Sequence, residues 1–172
     1  MDHLKKICVL VSLVALGLFA ASCKKAEEKI VSESGKAPEF TFTSLQGSAI
    51  RLSELRGKVV IIEFWATWCP PCRESIPELN KVSEKFRDKN FQLLGISVDK
   101  GGDALSKVRD FVKEYAVVYP VMVDNGSVNV AYGVSGIPVM FIIDKEGKVV
   151  KRHMGFFPGL AETLSKEVEE LL

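Results

Sequence analysis

The spacing of apolar residues changes several times along this 172-residue chain, and each change marks a different element. Ile7 to Ala21 is an unbroken apolar run, entered from Lys5-Lys6 and closed by Cys23-Lys24-Lys25. Lys24 to Ala37 is charged or small around Ile30 and Val31, which predicts a flexible tether. Regular patterning begins near Pro38. Phe40-Thr41-Phe42 and Ile50-Arg51-Leu52 read as two short strands about a Gln46-Gly47-Ser48 turn, and Ser53 opens a brief helical turn ended by Gly57. Val59 to Trp65 is continuously apolar and rich in β-branched residues except at Glu63, which predicts a strand buried on both faces of a parallel sheet. From Cys72 the period lengthens: Ile76, Leu79, Val82 and Phe86 recur at helical spacing, with Pro77 predicted to kink the helix.

Phe91 to Val98 predicts a second buried strand. Ala104, Leu105, Val108, Phe111, Val112 and Tyr115 form the stripe of an amphipathic helix. Tyr119 to Val123 reads as a strand and Asp124-Asn125-Gly126 as a turn. Val139 to Ile143 and Lys148 to Arg152 predict a hairpin across Lys145-Glu146-Gly147, and Leu160, Leu164, Val168 and Leu171 a closing helix. The order β–β–β–α–β–α–β–α–β–β–α predicts an α/β domain of three α/β/α layers.

The N-terminal run of 15 residues is shorter than the ~20 that an untilted spanning helix needs, and its basic entry is that of an export signal. Ala20-Ala21-Ser22 before Cys23 resembles a bacterial lipoprotein cleavage box with Cys23 as the lipidated residue, although Ala20 stands where such boxes carry Leu, Val or Ile. An uncleaved anchor helix and a conventional signal peptide are the alternatives, and all three export the remainder. The expected organisation is therefore a signal peptide over 1–22, a tether over 23–37 and one folded domain over 38–172.

Composition narrows the function. Lys and Arg number 23 against 22 Asp and Glu, so no basic excess is available to neutralise phosphates, and nucleic acid is excluded as a partner. The four cysteines are Cys8, Cys23, Cys69 and Cys72, and only the last two are close in sequence. Cys69-Pro70-Pro71-Cys72 stands where a central strand hands over to a helix, so the first sulfur meets unpaired N–H groups and the helix dipole, which favour a thiolate. A zinc site would need further ligands, and the chain has neither a second CxxC nor a histidine pair, only His3 and His153. A purely structural disulfide closing so small a ring would be a poor staple. The dithiol therefore predicts redox chemistry, with no metal and no cofactor.

The run Glu63-Phe64-Trp65-Ala66-Thr67-Trp68-Cys69-Pro70-Pro71-Cys72, with Pro77 following, resembles the active-site strand and helix of thioredoxins. Ala37-Pro38-Glu39-Phe40 and Leu52 to Lys58 (LSELRGK) are similar to the TlpA/ResA-type membrane-anchored members of the thioredoxin and AhpC/TSA superfamily. This resemblance, from about residue 37 to the C-terminus, implies a thioredoxin fold with a central mixed sheet, an N-terminal β extension and a βα insertion over Gly101 to Asp124. It implies a cis proline at Pro138 beside the dithiol, and substrate contact through Trp68, Pro70, Ile137 and Pro138, with Trp65 also shielding the disulfide. Glu63 matches the buried carboxylate that exchanges a proton with Cys72; the bland alternatives are a head group reaching water or a pair with Lys58. Many ResA-like chains also carry a Glu three residues after the second Cys, where this chain has Ser75, with Glu74 one residue early.

The implied activity is reduction of disulfides in exported proteins, as in cytochrome c maturation or metal-site assembly. Partners would be such disulfide or dithiol proteins, a membrane electron donor, and the membrane itself through a lipid anchor. Two rivals are a thiol peroxidase, opposed by Ile62 and Ala66 in place of that chemistry's Pro and Thr, and a copper-handling module built on the same two cysteines. Asp99 to Asp103 reads as a polar turn, Lys148, Lys151 and Arg152 as a solvated strand face, and His153 as a histidine with no partner pattern.

Overall fold

The computed structural model describes residues 35–172. Cys8, Cys23 and the expected signal peptide lie outside the described residues, as does most of the tether.

β3 (Val59–Trp65) is buried at every position and forms the middle of a five-stranded sheet ordered β5-β4-β3-β6-β7. It pairs in parallel with β4 (Phe91–Ser97) and antiparallel with β6 (Val139–Ile143). β4 carries β5 (Val121–Val123) in parallel, and β6 carries β7 (Val149–Met154) antiparallel, so the sheet is mixed. A separate antiparallel hairpin of β1 (Thr41–Thr43) and β2 (Ala49–Arg51) forms the N-terminal β extension, followed by a 3₁₀ turn over Leu52–Leu55.

Alternation along β3 explains why each face has its own core. Val59, Ile61 and Trp65 point to α1 (Pro70–Lys85), α2 (Ala104–Glu114) and α4 (Leu160–Leu171), whose Ile76, Phe111 and Leu164 join the same cluster. Val60, Ile62 and Phe64 face Phe40 and Phe42 of the hairpin region and Tyr132 after the short α3 (Ser127–Ala131). The Tyr132 hydroxyl donates to the Pro38 carbonyl at 2.9 Å, fastening the hairpin to this side.

The predicted element order holds throughout, and the departures are local. The Asp124-Asn125-Gly126 turn runs into α3, whose Val128 and Asn129 N–H groups donate to the Asp124 carboxylate at 3.2 and 2.9 Å. β5 starts at Val121, after Pro120, and the preceding Tyr119 is buried in the core. α1 starts at Pro70, since proline suits the first helical position, and Pro77 lies within this one continuous helix. Pairing reaches back before Pro38: Ala37 N–H donates to Gly147 O and Val149 N–H to Gly35 O, which covers the start of the β7 edge. Among the described residues no helix is long and apolar enough to cross a membrane.

Two readings of β7 need correction. His153 has a partner, because Glu167 of α4 lies 2.8 Å from its Nε2 and also takes Lys151 at 3.1 Å. Arg152 is not on a solvated face: opposite Phe141 in register, its guanidinium lies over that ring at 5.6 Å.

Candidate active site

The chain leaves β3 through Ala66-Thr67-Trp68 and enters α1 at Cys69, and this connection is held on several sides. Thr67 donates its N–H to Asp99 Oδ2 at 2.9 Å and its hydroxyl to Oδ1 at 2.6 Å, while Ser97 Oγ donates to Oδ2 at 2.7 Å. Arg73 Nη2 donates to the Thr67 carbonyl at 2.8 Å. Val98 N–H donates to Trp65 O and Cys69 N–H to Ala66 O. Asp99 is thus a buried anchor of the active-site loop, and the exposed polar turn that leads into α2 follows it.

Cys69 and Cys72 form a disulfide with Cα atoms 5.3 Å apart. Cys69 is the N-cap of α1 in extended conformation, where the helix N–H groups and dipole favour a thiolate on its sulfur. In this oxidised form Cys69 is 3% exposed and Cys72 fully buried. Trp68 is 64% exposed beside them and Pro70 and Pro71 are also exposed. Trp65 lies in the buried core cluster that also holds both cysteines, against Phe111 with ring centroids 4.9 Å apart. The Ile137–Pro138 peptide is cis, Pro138 is buried and Ile137 half-buried. Gly155 N–H donates to Pro138 O at 2.8 Å, which joins this loop to the end of β7, where Met154 is exposed. A cleft of about 460 Å³ opens beside Trp68, with Arg73, Lys107, Asp110 and Glu114 among its walls. Among the described residues no three His, Cys, Asp or Glu side chains gather as metal ligands.

Glu63 is fully buried, which closes both alternatives, a head group in water or a pair with Lys58. Ser75 Oγ donates to its Oε1 at 2.6 Å and the Tyr119 hydroxyl to its Oε2 at 3.1 Å. Burial pushes its pKa up from 4.5 to about 7, against the pull of those two hydrogen bonds. Burial, and then the neighbouring carboxylate, push the Tyr119 phenol well above its ordinary range, so it stays a donor. Opposite Glu63 on β4 is Gly95, and a Cβ there would stand 3.0 Å from Trp65 Nε1, 3.0 Å from Tyr119 Cε2 and 3.2 Å from Val121 Cγ2. Glycine therefore makes the room in which Tyr119 reaches the acid.

Sequence reasoning singled out Cys69, Cys72, Glu63, Trp68, Pro70, Ile137 and Pro138, and the structure places the first five on one strand–loop–helix segment with Pro138 in a separate loop. It missed Asp99, Tyr119 and the role of Ser75. Ser75 carried a signal, since it fills the position where similar chains place a glutamate. Tyr119, 56 residues from Glu63, carried none.

A dithiol at the mouth of a helix, a buried acid and a cis proline on a mixed sheet define a thioredoxin-fold protein-disulfide oxidoreductase. The chain belongs to the AhpC/TSA family, whose model matches residues 34–152. The thiol-disulfide oxidoreductase ResA of Bacillus subtilis (strain 168) is 36% identical over 144 residues, 83% of this chain and 79% of its own length. Among solved structures, a thiol:disulfide interchange protein of the thioredoxin family from Chlorobium tepidum TLS is 30% identical with a TM-score of 0.71, covering 79% of this chain and 94% of its own. The pneumococcal exposed lipoprotein thioredoxin Etrx1 from Streptococcus pneumoniae strain TIGR4 is 32% identical with a TM-score of 0.67, covering 78% and 100%.

Proposed function

We propose that this oxidoreductase works outside the cytoplasm, tethered by lipid at Cys23 after removal of residues 1–22, with residues 24–34 as its tether, since Gly35 to Ala37 already pair with the β7 edge. Its direction is reduction of disulfides in exported proteins whose cysteines must be free to take haem or a metal centre. The observation that carries the reading is the Cys69–Cys72 disulfide at the N-terminus of α1, with Glu63 buried and joined through Ser75 to the turn that holds Cys72. Reduced Cys69 attacks a substrate disulfide, one substrate sulfur leaves as a thiolate, and a mixed disulfide forms. Cys72 gives its proton to Glu63 and attacks the Cys69 sulfur, which expels the second substrate thiolate and leaves the disulfide described above. Two electrons pass to the substrate, and a membrane dithiol donor must return two. Trp68, Pro70 and the Ile137–Pro138 loop receive the substrate chain.

The export reading rests on the Ile7 to Ala21 run and the small residues before Cys23, and the lipoprotein named above is similar in its folded part. Mass spectrometry of the natively expressed protein tests it. An acylated N-terminus at Cys23 is the expected result, and a chain retaining residues 1–22 or an unmodified mature form overturns it. Direction is tested by the reduction potential, expected near that of thioredoxin at about −270 mV; a value near the about −120 mV of a strong oxidant overturns it.

A further inference from the structure

Ser75 has one hydroxyl proton and two acceptors within reach. Its Oγ lies 2.6 Å from Glu63 Oε1 and 2.8 Å from the Cys72 carbonyl oxygen. While Glu63 is ionised the proton goes to the carboxylate, the stronger acceptor, and the Cys72 carbonyl goes without it. When Glu63 takes up a proton on Oε1, its own O–H donates to Ser75 Oγ, and the serine hydroxyl turns to the Cys72 carbonyl. Tyr119 donates to Oε2 in both states, which leaves Oε1 as the oxygen that gains and loses the proton.

We propose that Ser75 is a positioning residue that reports the protonation state of Glu63 to the turn carrying Cys72, by moving its one hydroxyl proton between the Glu63 carboxylate and the Cys72 carbonyl. Both side chains are fully buried, so bulk water does not offer the alternative bonds. The groups packed around Glu63 leave the exchange to this pair. Besides Ser75 of α1 and Tyr119 before β5, its neighbours across the flanking strands are Gly95 of β4 and Met140 of β6, neither of which titrates. Beyond Met140 on the same face stands His153, held by Glu167 with Lys151. Burial places the Glu63 transition near neutrality, so both arrangements are populated where the enzyme works.

The relay rests on the proton-exchange role proposed for Glu63, and the oxidised protein separates the two, because Cys72 does not titrate in the disulfide. Carbon-13 NMR of the oxidised full chain should show the Cys72 carbonyl shift following the Glu63 carboxyl curve with a common midpoint. Ser75→Ala should abolish the Cys72 response and raise the Glu63 midpoint by about one to two pH units, the worth of a lost hydrogen bond to a charged group. Ser75→Thr, which keeps the hydroxyl, should restore both. A flat Cys72 carbonyl in the parent while Glu63 titrates overturns the relay and leaves the acid's role standing. A Ser75→Ala protein that retains both curves also overturns it. A Glu63 carboxyl that does not titrate near neutrality overturns the proton-exchange role and the relay together.

Discussion

The acid in the central strand should leave its mark on stability. Consider Glu63→Gln in the oxidised protein, where neither active-site cysteine titrates. Burial, outweighing the hydrogen bonds from Ser75 and Tyr119, pushes the Glu63 carboxyl up in the fold from its ordinary 4.5 to about 7. Between those values the folded protein holds a proton that the unfolded chain has released. Unfolding then releases a proton, and stability falls as pH rises through this window. Above the folded value both states are ionised and the whole cost persists. The shift of about 2.5 units, at ~1.4 kcal/mol per unit, amounts to about 3 kcal/mol. Glutamine keeps the shape and does not titrate, and its altered hydrogen bonding adds an offset that does not depend on pH. Urea unfolding of parent and variant from about pH 4 to about pH 8, with one set of free energies subtracted from the other, isolates the glutamate. The difference should move by about 3 kcal/mol across the series, in favour of the variant at the alkaline end. A difference that stays constant with pH would refute the reasoning, because it would mean that burial does not hold the proton on Glu63.

Alkylation of the reduced protein at neutral pH should modify Cys69 before Cys72, since Cys69 is the helix N-cap and Cys72 is fully buried; peptide mapping that finds Cys72 modified first reverses the assignment. Trp68→Ala should slow reduction of a protein disulfide more than that of a small disulfide, with stability within about 0.5 kcal/mol of the parent because the side chain is exposed. Equal losses on both substrates would remove Trp68 from substrate contact. Gly95→Ala should destabilise by about 1–3 kcal/mol through contact with Trp65 and Tyr119, and should weaken the Tyr119 bond to Glu63. An unchanged denaturation midpoint would show that the strand yields freely there.

How far the sequence is legible depends on where the information lies. Val59 to Trp65 announces itself, because a strand with a partner on each side and a core on each face must be apolar at every position. The dithiol and Glu63 lie within ten residues of one another on that strand and its exit, so their grouping is covalent before it is structural. Tyr119, Asp99 and His153 are different. Asp99 meets Thr67 through the crossover of α1, Tyr119 meets Glu63 through those of α1 and α2, and His153 meets Glu167 because α4 returns onto β7; no local period encodes these meetings. The short α3 carries too few residues to show a helical stripe, and its position is fixed by the Asp124 carboxylate at its start.

An acid inside a strand that is otherwise wholly apolar opposes folding, and the surroundings both impose and limit that cost. Gly95 gives up a side chain so that Tyr119 can reach one carboxyl oxygen, and Ser75 on the dithiol helix reaches the other. With neither hydroxyl the group would be driven further upward and remain protonated at neutral pH, unable to accept the Cys72 proton. With solvent or a lysine beside it, the pKa would fall back toward that of an ordinary carboxylate, and the group would be too weak a base. The two hydroxyls against full burial hold the transition near neutrality, where a group can both take and return a proton in each turnover. In the role proposed for Glu63, Tyr119 and Ser75 act through it, by setting the proton affinity with which it works.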